Sequence, residues 1–283
     1  MKGEAILKEP IILKEQISNA LHKLRDVNPL VHHITNSVTI NDCANVTLAI
    51  GASPVMADDE NEVTEMTSLS QALILNIGTL NSRTVESMIL AGNKANELNI
   101  PVILDPVGAG ATTYRTSWAR KIFQDLDIAV VRGNASEIMA MAGSVGTTKG
   151  VDSSNETHAA IASARKLIGM KRCIVAITGQ IDIVVSESRN ISLANGTKMM
   201  KQVTGTGCMA TSLIGCFCAS KVDAFTATVS ALTIMGIAGE LSECSLKNNE
   251  GIGTFKMRLF DYIHTMDSNK VNLYMEVKED AGI

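Results

Sequence analysis

A chain of 283 residues is long enough to bury most of its apolar surface in one large α/β domain or in two small ones, and no break in it favours two. Hydrophobic residues make up 46% but aromatics only 3%, so the core is built from Ile, Val, Leu, Ala and 14 Met, which suits helices on a parallel sheet better than an aromatic-rich sandwich. A formal charge of −4 gives no basic face for nucleic acid or an anionic membrane, and a small-molecule partner is expected instead.

The first stretch, Met1 to Gln16, is charged and has no apolar leader region. Leu13 to Val27 places Ile17, Leu21 and Leu24 at helical spacing. Leu30 to Thr35 reads as a strand, Asn36-Ser37 as a turn or cap, and Val38 to Ile50 as an apolar helix that Gly51 ends. Ala52 to Met56 is extended, because Pro54 disfavours helix in the residue before it. A polar helix carrying Glu60, Glu62 and Glu65 follows. Ala72 to Ile77 is a buried strand, Ser82 to Leu98 a helix, and Val102 to Leu104 a strand that closes on Asp105-Pro106. Thr112 to Phe123 reads as helix, Ile128 to Val131 as strand and Ala135 to Met141 as a short helix. After a polar loop from Gly143 to Ser154, Thr157 to Ile168 is a helix and Cys173 to Ile177 a strand. Val184 to Ser186 and Ile191 to Leu193 are separated only by short polar turns, so they form antiparallel edge strands. The apolar runs from Gln202 to Ser220 and from Ala224 to Gly239 read as two buried helices, the first being dotted with Gly, Thr and Ser and the second short for a membrane span.

This alternation predicts one mainly parallel sheet with helices on both faces and ligands at the carboxyl ends of its strands. Asp105 closes one strand, Arg132-Gly133-Asn134 another and Thr178-Gly179 a third. Gly205-Thr206-Gly207-Cys208 opens the first buried helix, whose leading N–H groups lack helical partners and are open to an anion. The helix dipole supplies only about 0.3–1 kcal/mol, whereas one aimed amide in a dry site gives about 3 kcal/mol, so amide geometry matters more. The same position favours a Cys208 thiolate. Simple capping and a buried structural cysteine are the plain alternatives.

Asp105 to Thr112 joins a carboxylate to a glycine-rich loop suited to phosphate, or is a strand-to-helix loop capped by Thr112. Glu137 lies one turn into a helix and either caps it or holds Mg²⁺ through water; with Asp105 at the neighbouring strand end, the metal is preferred. Arg132 suits bidentate contact with phosphate, a surface ion pair being its alternative. His32 and His33 fall on opposite faces of a strand and read as satisfied structural histidines, while Cys216 and Cys218 diverge around their helix and make no metal pair. The six cysteines lack metal spacing and read as reduced cytosolic thiols.

Taken together, Ile34-Thr35-Asn36, Ala44-Asn45, Gly51 to Met56, Asp105 to Thr112, Arg132 to Glu137 and Gly205 to Cys208 resemble hydroxyethylthiazole kinase, a ribokinase-like family of thiamine salvage, in the right order from about Leu30 to Phe260. The resemblance implies a single ribokinase-like domain over residues 1–283 that phosphorylates 4-methyl-5-(2-hydroxyethyl)thiazole with ATP and Mg²⁺ in the cytoplasm. It also implies homotrimers with sites between subunits. By position, Met56 and Gly205 would contact the thiazole, and Arg132 and Thr178 would bind ATP. Asp105 and Glu137 would serve the metal and phosphates, and Cys208 would lie beside the substrate hydroxyl. Related kinases and the ATP-dependent repair dehydratases usually carry Asp where this chain has Cys208, which sets those readings second. A non-catalytic binder is the third.

Overall fold

The computed structural model describes residues 2–144 and 153–280. The expected alternation is present. Strands β1 (Leu30–Ile34), β2 (Ser53–Val55), β3 (Ala72–Asn76), β4 (Val102–Asp105), β5 (Val130–Asn134) and β6 (Ile174–Thr178) pair in parallel. Strands β7 (Asp182–Val185), β8 (Asn190–Leu193) and β9 (Val277–Asp280) add an antiparallel edge, giving the order β2-β1-β3-β4-β5-β6-β7-β8-β9.

The pleat sorts each strand onto two cores, because successive side chains point to opposite faces. Val31, Ile74, Ile103 and Val130 join one core with residues of α1 (Lys2–Val27), α2 (Ile40–Ile50), α8 (Thr206–Ala219) and α9 (Ala224–Cys244). Their alternates Leu73, Leu75, Leu104 and Val131 join the other, beneath α4 (Ser82–Glu97), α5 (Thr113–Asp125), α6 (Ala135–Met141) and α7 (Ser153–Met170). The short α3 (Val63–Leu69) adds Val63 to that second core. His32 and His33 split in the same way. His32 on the α3 side contacts the Thr67 hydroxyl at 2.9 Å and the Ala57 carbonyl at 2.8 Å, as the reading of satisfied histidines required. His33 reaches the Thr47 hydroxyl at 3.3 Å, but its Nδ1 has no partner among the described residues, and burial pushes the imidazole down to about 3.

Helix α8 is buried from Met209 through Ala219. It lies so close to β3 that a Cβ on Gly215 would come within 2.5 Å of the Ile74 side chain, and this contact sets its N-terminus over the carboxyl edge of the sheet. Helix α9 is the one described helix long and apolar enough to cross a membrane, and 83% of its apolar window is buried inside the fold.

Several boundaries differ from the sequence reading. Helix α1 starts at Lys2 rather than Leu13, and α9 continues to Cys244 instead of stopping at Gly239. Glu60 and Glu62 precede α3, so only Glu65 lies within it. Strand β5 runs on to Asn134, which places Arg132 and Gly133 inside a strand end and not in a loop after it. Helices α10 (Ile252–His264) and α11 (Ser268–Tyr274) and strand β9 had no counterpart in that reading. Of the polar loop read from Gly143 to Ser154, residues 145–152 lie outside the described residues, and α7 already begins at Ser153.

Candidate active site

The chain leaves β1 for β2 on one side and then crosses to β3 on the other, so the strand order reverses between β1 and β3. Such a switch point opens a crevice at the carboxyl edge. A cavity of about 340 Å³ lies there, large enough for a small molecule. Asn36 and Thr39 after β1, Gly78 after β3 and Val107 after β4 form part of its wall. Arg132, Asn134 and Glu137 from the β5–α6 junction, with Gly205, Gly207 and Cys208 from the start of α8, complete most of the rest. Cys208 and Arg132, 76 positions apart in the chain, therefore share one cavity.

Gly205 caps α8 with φ of 89°, a left-handed conformation that glycine adopts without steric cost. The Met209 N–H donates to the Gly205 carbonyl at 2.8 Å and is the first helical bond, so the N–H groups of Thr206, Gly207 and Cys208 precede the helical ladder. The Thr206 hydroxyl donates away from the cavity to the Met200 carbonyl at 3.1 Å, pinning the loop to the 3₁₀ turn Lys198–Gln202. The Thr206 side chain is thus kept off the amide cradle.

Arg132 lies directly against that cradle. A Cβ on Gly207 would sit 2.6 Å from its Nη1. Its Nη2 donates to the Thr178 hydroxyl at 2.6 Å, and Nη1 is 3.8 Å from Asp105 Oδ1. Gly207→Ala is therefore expected to displace the guanidinium tip while leaving the helix intact. The expected result is a kcat/KM lower by about 10²-fold, within the range for a lost transition-state donor, at a nearly unchanged melting temperature. Steady-state kinetics and a thermal melt on the same preparation check both halves.

Asp105 is fully buried and does not itself line the cavity. Asn76 Nδ2 and the Thr211 hydroxyl each donate to its Oδ2 at 2.8 Å, while Oδ1 has only the Arg132 charge. Burial pushes the carboxyl up to about 6; the Arg132 cation opposes this and the Glu137 charge adds to it. Glu137 does line the cavity, and its carboxylate is a helix cap. Asn134 N–H donates to Oε2 and Gly108 N–H to Oε1, both at 2.8 Å, and the Asn134 side-chain oxygen accepts from Glu137 N–H at 2.9 Å. Of the two roles that the sequence left open, the cap is present. Thr112 likewise caps α5 through Arg115 N–H at 3.2 Å. Among the described residues, no three His, Cys, Asp or Glu side chains gather as a metal cage.

Cys208 corrects one expectation. Burial and the neighbouring Asp105 charge push its thiol up, outweighing the helix N-terminus that was expected to favour a thiolate. Its sulfur accepts from Asn36 Nδ2 and Asn76 Nδ2, each at 3.3 Å. Met56, which follows edge strand β2, is partly buried and does not line the cavity. Cys216 and Cys218 are buried in the α8 core, and burial pushes both thiols up to about 12.

The sequence reading passed over Asn76, Thr211 and Asp182. Asn76 had a signal, since an amide closing the apolar run Ala72–Leu75 asks for a partner at the sheet edge. Thr211 had none, because it reads as one more small residue of a buried helix. Asp182 takes a hydrogen bond from Gly179 N–H at 2.9 Å at the β6–β7 turn; burial pushes it up to about 6 and the Arg132 charge opposes this.

A guanidinium, a buried carboxylate and an open helix N-terminus around the switch-point cavity of this fold are the equipment of a phosphoryl-transfer enzyme of the ribokinase-like class. The chain belongs to the Hydroxyethylthiazole kinase family, whose model matches residues 21–269. It is similar to hydroxyethylthiazole kinase of Alkaliphilus oremlandii, 48% identical over 94% of this chain and 99% of that one, and to that of Methanocella arvoryzae, 48% identical over 93% and 97%. The solved hydroxyethylthiazole kinase of Pyrococcus horikoshii OT3 superposes with a TM-score of 0.84 at 38% identity, covering 93% of this chain and 98% of that one. Pyridoxal kinase of Staphylococcus aureus, at 16% identity and a TM-score of 0.63 over 89% of this chain and 99% of that one, shares the fold.

Proposed function

We propose that this chain transfers the γ-phosphoryl group of ATP to the primary alcohol of 4-methyl-5-(2-hydroxyethyl)thiazole, giving the thiazole phosphate used in thiamine salvage. The observation that carries this reading is the single cavity shared by Cys208, Arg132 and the leading amides of α8. Phosphoryl transfer needs chiefly alignment and neutralisation of charge. The N–H groups of Gly207 and Cys208 receive the equatorial oxygens of the moving group, and Arg132, steadied by Thr178, neutralises its charge and holds the ATP phosphates. Cys208 lies beside the substrate hydroxyl as a thiol and positions it. Gly205 borders the thiazole.

Asp105 and Glu137 fit a hydrated Mg²⁺ held mainly by nucleotide phosphates, not a cage built by the protein. Asp105 Oδ1 has a free acceptor position and Glu137 stands in the cavity wall, two carboxylates being enough for such an ion. When bound, the ion would offset the negative charge of the nucleotide phosphates.

Met56 reaches the thiazole only from a neighbouring protomer in this reading, which accords with a homotrimer whose sites lie between subunits. Exposed Val38, Ile40 and Leu48 at and along α2, and Ile252 and Met257 on the adjoining α10, supply apolar surface for it. We take the chain to be one cytoplasmic domain spanning residues 1–283, with small molecules and no nucleic acid or membrane as its partners.

The direct test is ADP release by pure protein with ATP and Mg²⁺. It is expected to depend on added hydroxyethylthiazole; absence of turnover, even with measurable affinity, would rule the kinase out. Because the thiol positions rather than carries the reaction, Cys208→Ala is expected to lower kcat by only about tenfold and Cys208→Asp to retain activity. Complete loss with Asp would instead argue for a covalent thiol.

A further inference from the structure

The sulfur of Cys208 lies between two side-chain amides whose hydrogens are all committed. Asn76 Nδ2 spends one hydrogen on Asp105 Oδ2 at 2.8 Å and one on Cys208 Sγ at 3.3 Å. Asn36 Nδ2 spends one on Asn76 Oδ1 at 3.0 Å and one on the same sulfur at 3.3 Å. Neither amide can be flipped without loss, because both oxygens are also occupied. Asn76 Oδ1 accepts from Gly78 N–H at 2.9 Å, and Asn36 Oδ1 from Thr39 N–H at 3.1 Å and the Thr39 hydroxyl at 3.0 Å. The close approach depends on a missing side chain: a Cβ on Gly78 would fall 2.8 Å from Asn36 Cβ and 3.0 Å from Asn76 Oδ1.

We infer that Asn36 and Asn76 form a two-donor fork that fixes the Cys208 sulfur and turns its S–H toward the alcohol entering the cavity, making both asparagines positioning residues for phosphoryl transfer. This rests on the reading of Cys208 given above. Two amides fill acceptor directions of the sulfur, and the Thr39 hydroxyl, committed to Asn36 Oδ1 at 3.0 Å, also lies beside it. The S–H is the donor left to face the cavity that Thr39 and Cys208 both line. The fork also explains why a carboxylate would serve in the same place, since Cys208→Asp would accept both amides without rearrangement. Asn76 further ties the sulfur to Asp105, and through it to Arg132, so the acceptor side and the phosphate side of the cavity share one hydrogen-bonded frame.

The test is a double-mutant cycle. Asn36→Ala and, separately, Gly78→Ala, which pushes the fork aside without deleting an amide, are each made in the natural chain and in Cys208→Ala. Each is expected to lower kcat about tenfold beside Cys208, with KM for ATP within about twofold, and to cost less than about twofold once the thiol is gone. Equal losses in both backgrounds would overturn the proposal. A second readout needs no turnover: the pH midpoint for alkylation of Cys208 by iodoacetamide, followed by peptide mass, is expected to rise by about half a unit in Asn36→Ala as the thiolate loses a donor. An unchanged or lower midpoint would contradict the fork. A Cys208→Ala enzyme with full kcat would remove the catalytic role of the thiol, while the midpoint shift would still decide whether the fork exists.

Discussion

Replacing Arg132 by Ala is expected to lower kcat by about three orders of magnitude, equivalent to about 4 kcal/mol of transition-state stabilisation, with much less effect on stability. The guanidinium is the one cation in the wall of the cavity among the described residues, and it faces the α8 amides across the bare Cα of Gly207. Lysine should restore less than a tenth of the loss. An ammonium is a point charge, and it cannot hold Thr178 with one arm while the other meets a phosphate. The residual activity carries a second signature. Arg132 opposes the upward push on Asp105, so its removal lets that carboxyl rise further above about 6. The acidic limb of the pH–rate profile should move to higher pH in Arg132→Ala. A loss comparable to that of Cys208→Ala, with an unmoved acidic limb, would mean that the guanidinium is not where charge develops.

Asp105→Asn is expected to lower kcat by about 10²-fold or more and, at the same time, to raise the melting temperature at neutral pH. Burial lifts the carboxyl from 3.8 to about 6 in the folded chain, so the folded state holds its proton more tightly than the unfolded one. Stability from this group is then complete below about pH 4 and is lost as pH rises to about 6, leaving a charged carboxylate that costs on the order of 3 kcal/mol above it. The amide keeps an oxygen for Asn76 and Thr211 and carries no charge. For a chain of this size the gain corresponds to a shift of several degrees, which should shrink toward pH 4, where the natural residue is itself protonated. Thermal melts at pH 7.5 and pH 4.5, run beside kinetics, check this. A variant both less active and less stable at pH 7.5 would mean that the charged form is well solvated. The predicted trade is the usual one for a group kept for its charge in a place that disfavours charge.

These contributions were unequally legible in the sequence. Elements with strong periodicity came through within a residue or two: Ala135–Met141 matches α6 throughout, and Ser82 to Leu98 differs from α4 at one end by one position. The phosphate-side residues were also legible, because Asp105, Arg132 and Gly205 each stand where an apolar strand or helix meets glycine. The sequence could not convey how burial reorders chemistry. Cys208 looked like a thiolate from its helix position, and burial, with the Asp105 charge beside it, reverses that sign. For Glu137 the sequence offered both a cap and a metal ligand and favoured the metal, because spacing cannot show that Gly108 and Asn134 N–H groups donate to its carboxylate. Asn76 reads as the polar end of a strand. That its two hydrogens go to Asp105 and Cys208, 29 and 132 positions away, is a fact of three-dimensional packing that no local spacing encodes. Met56 shows the converse: resemblance marks it as a substrate contact, yet within one protomer it lies outside the cavity.

The measurement that bears most directly on the mechanism is a structure of the protein with ADP, hydroxyethylthiazole and a planar phosphoryl mimic such as aluminium fluoride. The expected result places the mimic within hydrogen-bond distance of the Gly207 and Cys208 N–H groups, with the Arg132 guanidinium on its edge and the thiazole hydroxyl in line beside the Cys208 sulfur. A mimic bound away from the start of α8, or one that leaves Arg132 paired only with Thr178 and Asp105, would contradict it.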